Sequence, residues 1–149
     1  MESIYLDEND GIVAWNIDQV KELGIEVEID DFGTGYASIV SLQKLHPRRL
    51  KIDRQLVKPI LDQPAQRQLV ASIVDIGKSM DIEIVAEGVE TMDHAVILRD
   101  LGCDILQGYA FARPMDRETL EAFLRENRWA SNRAEGPDAP VARLEVRRP

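Results

Sequence analysis

Four short segments rich in apolar and β-branched residues, separated by helical patterns, are the feature that most constrains the fold. The predicted strands read "IEVEID", "RRLKID", "DIEIVAEGVE" and "CDILQGY", beginning at residues 25, 48, 81 and 103. Hydrophobic spacing and capping residues predict helices over residues 11–23, 38–45, 64–80, 91–101 and 116–125. This alternation is typical of a parallel sheet with right-handed crossovers. The sequence therefore predicts an α/β fold of about four parallel strands with helices.

Polar side chains stand at the end of every predicted strand. In strand order they are Asp30 and Asp31, Lys51 and Asp53, Glu87 and Glu90, and Gln107. The loops that follow the carboxyl ends of parallel strands build the active sites of such folds. We therefore expect these side chains to lie close together in a functional site.

Carboxylates that converge from separate strands bind hard divalent cations such as Mg²⁺ or Mn²⁺. Two ions about 3.5–4 Å apart suit the hydrolysis of a phosphodiester, and a nearby lysine would steady the charge that builds on phosphate. Simpler interpretations stay open. An Asp-Asp pair before a glycine also forms turns, Lys51 fits a solvated strand position, and Glu87 and Glu90 flank Gly88 as a solvated loop would.

Composition narrows the function classes. The chain carries 18 Lys and Arg residues against 27 Asp and Glu, a formal net charge of -9, which argues against binding DNA or RNA through backbone phosphates. A phosphate substrate held by divalent metal remains compatible with an acidic body. We expect no membrane association, a cytoplasmic location and an inert, buried thiol at the single Cys103. His46 and His94 lack ligand-like spacing, which favours surface or capping positions.

The segments "DDFGTGYAS", "LKID", "VAEGVE" and "LGCDILQGYAFARPM" together resemble the EAL domain, the family of cyclic di-GMP phosphodiesterases. The resemblance implies the C-terminal part of a TIM-like (β/α)₈ barrel. It also implies a rim that holds two Mg²⁺ or Mn²⁺ ions. Such a site opens one phosphodiester of cyclic di-GMP to give linear pGpG.

The resemblance also implies roles for individual residues. Asp30 and Asp31 match metal ligands, and Lys51 matches the lysine that contacts the attacking water. Glu87 matches a glutamate that acts as a metal ligand or as a general base. The positions that match site or substrate support are Glu2, Asp53, Glu90 and Gln107. The mobile loop, which links metal occupancy to dimerisation in the family, corresponds to Phe32, Gly33, Thr34 and Gly35.

One departure from the family pattern limits these expectations. No Glu-Ala-Leu triplet occurs, and Glu2 aligns with the last residue of a later Glu-x-Thr-Glu motif. We therefore expect a truncated domain over residues 1–126 that lacks three metal-binding side chains. As an isolated chain it should bind the ions weakly or not at all and be inactive.

Two alternatives stay open beside the incomplete enzyme. The first is an interaction or cyclic di-GMP-sensing module that forms a homodimer or pairs with another EAL-type protein. The second is a decaying gene fragment. Residues 127–149 are expected to form a flexible tail or linker.

Overall fold

The computed structural model describes residues 11–34 and 38–125. Its helices are α1 Gly11–Glu22, α2 Ile39–Leu45, α3 Arg54–Val57, α4 Pro64–Ser79, α5 Met92–Asp100 and α6 Arg117–Arg125. Its strands are β1 Glu28–Phe32, β2 Arg49–Ile52, β3 Glu83–Glu87 and β4 Ile105–Gln107. The predicted tail at residues 127–149 lies outside the described residues, as do Glu2 and Gly35.

The strands form one parallel sheet in the order β1-β2-β3-β4. This confirms the predicted α/β fold with four parallel strands and crossover helices. Helix α3 and the 3-10 turn Lys58–Leu61 were not predicted from the sequence. Asp53 explains the abrupt start of α3, because its carboxylate accepts a hydrogen bond from the backbone N of Gln55 at 2.7 Å.

The outer face of the sheet carries the apolar core. Leu50, Ile52 and Ile84 are fully buried beneath the helices, as is Val74 of α4. At Gly77 of the same helix, an added Cβ would lie 2.2 Å from the Cδ1 atom of Ile84. A glycine at this position therefore lets the helix approach the sheet closely.

Helix α4 is confirmed. The spacing of its apolar residues predicts a core-facing side of Leu69, Ile73, Ile76 and Met80. Ile73 is buried and Ile76 and Met80 pack against the core, whereas Leu69 is 46% exposed. Val70, Val74 and Gly77 complete the buried face.

Helix α1 is also confirmed, but none of its residues is buried, and Trp15 is 62% exposed. The spacing of Val13, Ile17, Val20 and Leu23 predicts its apolar face. Ile17 packs against the core, whereas Leu23 is 78% exposed. Strand β1 is an edge strand within the described residues.

The two histidines have different structural roles. His46 is exposed and caps the C-terminus of α2 in the left-handed region, at φ 39°. His94 is buried and not on the surface, and it lies at the capped start of α5, the other position predicted for it. Its Nδ1 lies 2.8 Å from the Thr91 hydroxyl and its Nε2 lies 3.1 Å from the Lys58 carbonyl oxygen. It thereby ties the start of α5 to the 3-10 turn.

Cys103 is half-buried against the core, and burial raises the pKa of its thiol to about 12. Because the thiolate is the reactive form, this agrees with the predicted inert thiol. No helix in the described part of the chain is long and apolar enough to cross a membrane.

Candidate metal centre

The inner face of the sheet is charged where the outer face is apolar. Side chains alternate along a strand, so the burial of Leu50 and Ile52 on the outer face turns Arg49 and Lys51 inward. Two groups of charges lie on this face or at the ends of its strands. The strand-start layer comprises Glu26, Glu28, Arg48, Arg49 and Glu83, and the strand-end layer comprises Asp30, Asp31, Lys51 and Glu87.

A break in the β1 ladder explains how two adjacent aspartates reach one site. Ile29 pairs with Leu50 and Phe32 pairs with Ile52, so Asp30 and Asp31 together oppose the single residue Lys51. In a regular strand neighbouring side chains point to opposite faces, whereas a bulge re-aims one of them.

Asp31 accommodates this bulge by adopting a left-handed backbone, with φ 52°. Aspartate tolerates that region better than most residues. Its backbone N also donates to Asp30 Oδ1 at 3.1 Å. Gly33 follows with φ 98°, which favours glycine, and Thr34 N closes the turn on the Asp31 carbonyl oxygen at 3.3 Å.

The strand-end layer brings three predicted metal ligands together. Asp30, Asp31 and Glu87 each offer a carboxylate oxygen, and these oxygens lie within 4.8 Å of one another. Both aspartates are exposed and Glu87 is half-buried. Oxygen donors of this kind and spacing fit a hard divalent cation.

Lys51 is the cation that faces these carboxylates. Its Nζ donates to Asp30 Oδ1 at 2.8 Å and lies 2.5 Å from Glu87 Oε1. Burial alone lowers the pKa of Lys51, but its hydrogen bonds to Asp30 and Glu87 and their charges outweigh that effect. The pKa of Lys51 therefore lies above its ordinary value, and the side chain is an ammonium at neutral pH.

The other predicted site residues lie at different distances from this cluster. Gln107 is exposed at the end of β4 and pairs in register with Glu87. Glu90 lies 3.4 Å from Lys58 Nζ, an exposed ion pair outside the three-carboxylate group. Asp53 contacts the first turn of α3, where it acts as the cap described above.

Phe32 departs from the predicted mobile loop. It is the last residue of β1 and packs in the core at 8% exposure, because the strand regains its register there. The described part of that loop therefore begins at Gly33.

Sequence reasoning missed the strand-start layer, although its signal is present. Glu28 and Arg49 stand two residues before Asp30 and Lys51, and Glu83 stands four residues before Glu87, so each pair shares a face. Arg49 donates to Glu28 and to Glu83, each at 2.9 Å. These bonds join three strands beneath the carboxylate cluster.

A close backbone contact holds the loop after β4 against the loop after β3. Val89 N donates to the Gln107 carbonyl oxygen at 3.1 Å, and Ala110 N donates to the Val89 carbonyl oxygen at 2.9 Å. A Cβ on Gly108 would lie 2.2 Å from that same oxygen of Val89. Only glycine fits between the two loops without movement of the backbone.

The fold and site define a parallel α/β protein with a carboxylate cluster suited to divalent cations at its strand ends. The chain belongs to the EAL domain family, which it matches over residues 2–114. This confirms the resemblance read from the four motifs.

Individual relatives agree with that membership. The chain is 36% identical over 131 residues to the cyclic di-GMP phosphodiesterase NbdA of Pseudomonas aeruginosa, covering 83% of this chain and 17% of NbdA. The structure of the MucR phosphodiesterase with cyclic di-GMP, from the same organism, matches with a TM-score of 0.69 at 38% identity. That match covers 76% of this chain and 46% of the MucR chain.

A third relative was solved with a metal. The Klebsiella pneumoniae BlrP1 complex with manganese and cyclic di-GMP matches with a TM-score of 0.65 at 33% identity, covering 70% of this chain and 26% of BlrP1. The chain thus spans less than half of each of these three relatives. Its four strands correspond to part of their TIM-like domain.

Proposed function

We propose that this chain supplies one side of a two-ion site that hydrolyses cyclic di-GMP to linear pGpG. The observation that carries the proposal is the carboxylate cluster of Asp30, Asp31 and Glu87, whose oxygens lie within 4.8 Å of one another beside the Lys51 ammonium. The manganese and cyclic di-GMP in the BlrP1 complex support the choice of cation and substrate.

In this proposal Asp30, Asp31 and Glu87 hold Mg²⁺ or Mn²⁺. The ions would activate water and offset the negative charge of the phosphate. Hydrolysis adds one water across a phosphodiester, forming a bond from the water oxygen to phosphorus while the ribose 3′ oxygen leaves and takes up a proton.

Lys51 would act as a charge partner and not as a base. Its raised pKa keeps it protonated, so it can donate hydrogen bonds to oxygens on which charge builds in the transition state. In the structure these bonds go to Asp30 and Glu87. A cation that binds the two carboxylates would free Lys51 to turn toward the phosphate. Gln107, in register with Glu87, would contact the substrate or steady the glutamate.

We further propose that the 149 residues alone bind the ions weakly and do not turn over substrate. Each Mg²⁺ takes about six oxygen ligands, and protein sites for it use carboxylates together with water and substrate phosphates. Three carboxylates shared between two ions leave each ion with few protein ligands.

A second candidate is a module that pairs with another copy or another EAL-type protein without catalysis. The observations that favour it are that β1 is an edge strand within the described residues and that Trp15 and Leu23 are large, exposed apolar side chains. Exposed strand edges and apolar patches are typical of pairing surfaces.

The two candidates differ in the assay that each should pass. The 149-residue chain would be joined to the preceding part of the MucR phosphodiesterase domain and incubated with cyclic di-GMP and Mn²⁺, with pGpG measured by chromatography. The enzyme proposal expects hydrolysis by this chimera that Glu87→Gln and Lys51→Met abolish. Glu118→Gln, on the exposed helix α6, is the matched control and should leave the rate unchanged.

A folded, monomeric chimera that produces no pGpG would contradict the enzyme proposal. The pairing candidate expects instead that the unmodified chain self-associates in sedimentation, and a strictly monomeric chain at high concentration would remove the homodimer.

A further inference from the structure

Arg49 stands at the centre of the strand-start layer. Its Nε donates to Glu83 Oε2 of β3 and its NH1 atom donates to Glu28 Oε1 of β1, both at 2.9 Å. The same NH1 atom lies 3.6 Å from Glu26 Oε2. One side chain on β2 therefore bonds to charged partners on both neighbouring strands.

Burial and geometry favour arginine at this position. The Arg49 side chain is only 10% exposed, and Glu28 and Glu83 are 24% and 23% exposed. A guanidinium presents several donors in a fixed plane, so it can bond to two carboxylates in two directions at once. The ammonium of lysine is a point charge on a flexible stem and does not fix such a spacing.

Arg48 extends the layer at the solvent side. It lies 3.0 Å from Glu83 Oε1 and 3.8 Å from Glu26 Oε1, but its side chain is 49% exposed. Exposed pairs of this kind contribute little because water screens them. Arg48 is therefore a natural control for Arg49, with the same charge and a shared partner.

The ion pairs of Arg49 should contribute more to the position of β1 than to that of the other strands. Strand β1 has one hydrogen-bonded neighbour among the described residues, and its ladder to β2 shifts register between Ile29 and Phe32. Asp30 and Asp31 fall inside that interruption, where regular backbone pairing does not hold them. The bond from Arg49 to Glu28, two residues before Asp30 on the same face, is a side-chain tie just ahead of the interruption.

We propose that Arg49 is a positioning residue that clamps β1 and β3 through Glu28 and Glu83 and so sets the spacing between Asp30 and Glu87. This inference rests on the proposed metal site. The inference goes beyond the proposed site because it assigns the spacing of the carboxylates to Arg49, a buried side chain in the strand-start layer. Residues that orient metal ligands in this way change affinity without touching the ion.

The first test measures hydrogen exchange of the metal-free 149-residue chain. Arg49→Met keeps much of the side-chain volume and removes the clamp, so exchange should speed up in Glu28–Phe32 while the amides of Ile105–Gln107 keep their protection. Arg49→Lys should give an intermediate result, and Arg48→Met should match the unmodified chain. Uniform loss of protection across all strands would show a merely structural role and overturn the proposal, as would unchanged exchange in β1.

The second test measures Mn²⁺ binding by electron paramagnetic resonance on the same variants. Arg49→Met should weaken binding by about 10–100-fold, the range found when residues that orient metal ligands are removed. Arg48→Met should change it by less than about fivefold. Equal affinity in folded Arg49→Met and unmodified chains would overturn the proposal.

Two controls separate the possible failures. If Arg49→Met does not fold, Glu83→Gln and Arg49→Lys weaken the same clamp more gently and should shift β1 exchange and Mn²⁺ affinity in the same directions. If the unmodified chain binds Mn²⁺ too weakly to measure, the same variants are titrated in the chimera with the MucR part. Absence of Mn²⁺ binding by the unmodified chimera would contradict the proposed function, while the local exchange pattern tests the role of Arg49 independently.

Discussion

The two charge layers on the inner face of the sheet lie a few residues apart on the same strands, yet they differ in balance. At the strand starts two arginines meet three glutamates, and the central arginine is buried within ion pairs of 2.9 Å. At the strand ends three carboxylates meet one lysine, and both aspartates are exposed. The strand-start layer, in which the charges nearly cancel, is suited to stabilise the sheet. The acid-rich layer has spare negative charge and is suited to take up a cation.

The largest effect should follow from removing a ligand at the strand ends. Asp31→Asn or Glu87→Gln should lower the Mn²⁺ affinity of the chain by at least about 100-fold, because a lost ligand costs no less than a lost orienting partner. Titration monitored by electron paramagnetic resonance measures this. Glu118→Gln, an acid outside both layers, should bind as the unmodified chain does, and a similar loss there would show non-specific binding.

Removing a charge should lower the stability of the protein in the strand-start layer and raise it in the strand-end layer. Arg49→Met removes the cation that Glu28 and Glu83 share, while Glu83 keeps its pair with Arg48, so the free energy of unfolding should fall by about 2 kcal/mol. Asp31→Asn relieves repulsion among three close carboxylates and keeps a residue that tolerates positive φ, so stability should rise by less than about 1 kcal/mol. Urea unfolding without metal measures both. Equal losses in the two variants would erase the distinction between the layers.

Lys51→Met tests whether the lysine of the strand-end layer competes with a divalent cation for the carboxylates. In the structure the Lys51 ammonium occupies the position of a cation between Asp30 and Glu87, and a divalent ion must compete with it. Its removal should raise Mn²⁺ affinity by about threefold to tenfold, equivalent to about 1 kcal/mol of screened charge interaction. A chimera with the same change should lose hydrolysis. Weaker Mn²⁺ binding by Lys51→Met would show that the lysine organises the carboxylates instead of competing for them.

The smallest expected effect concerns the contribution of Lys51 to the free energy of unfolding, which should not change with pH near neutrality. The pKa of Lys51 is raised above its ordinary value of 10.5, so its stabilising contribution is complete below that value. It is lost only as the pH rises through the higher pKa of the folded state. The difference in unfolding free energy between the unmodified chain and Lys51→Met should therefore be constant from about pH 7 to 9 and shrink near pH 11. A fall already below pH 9 would mean that the ion pairs do not hold the ammonium.

Much of this architecture was predictable because its signals are local. Alternation in "IEVEID" and "RRLKID" specifies strands, and the acids at their ends specify where a site lies. The edge of the buried face of α4 was harder, since Leu69 and Val70 are neighbours in sequence and only the packing of the folded helix buries Val70 and exposes Leu69. The role of Asp53 was also ambiguous, because the same side chain suits a site or a helix cap.

Two features of the site depend on contacts that a single segment does not encode. The joint presentation of Asp30 and Asp31 needs the offset between β1 and β2, which arises only when the strands pair. The clamp at Arg49 needs partners 21 and 34 residues away in sequence. The motifs placed the chemistry at the strand ends, whereas long-range pairing determines its geometry.

The bulge in β1 has a consequence for how such a site can be gained or lost. Since Phe32 returns to register with Ile52, the edge strand contains one residue more than its neighbour needs for pairing. Deleting either aspartate would restore an ordinary ladder and leave a single aspartate opposite Lys51, so the site would lose one of its three carboxylates. A single-codon change can thus separate the two properties of this segment, silencing the cation site while the sheet that carries it stays intact.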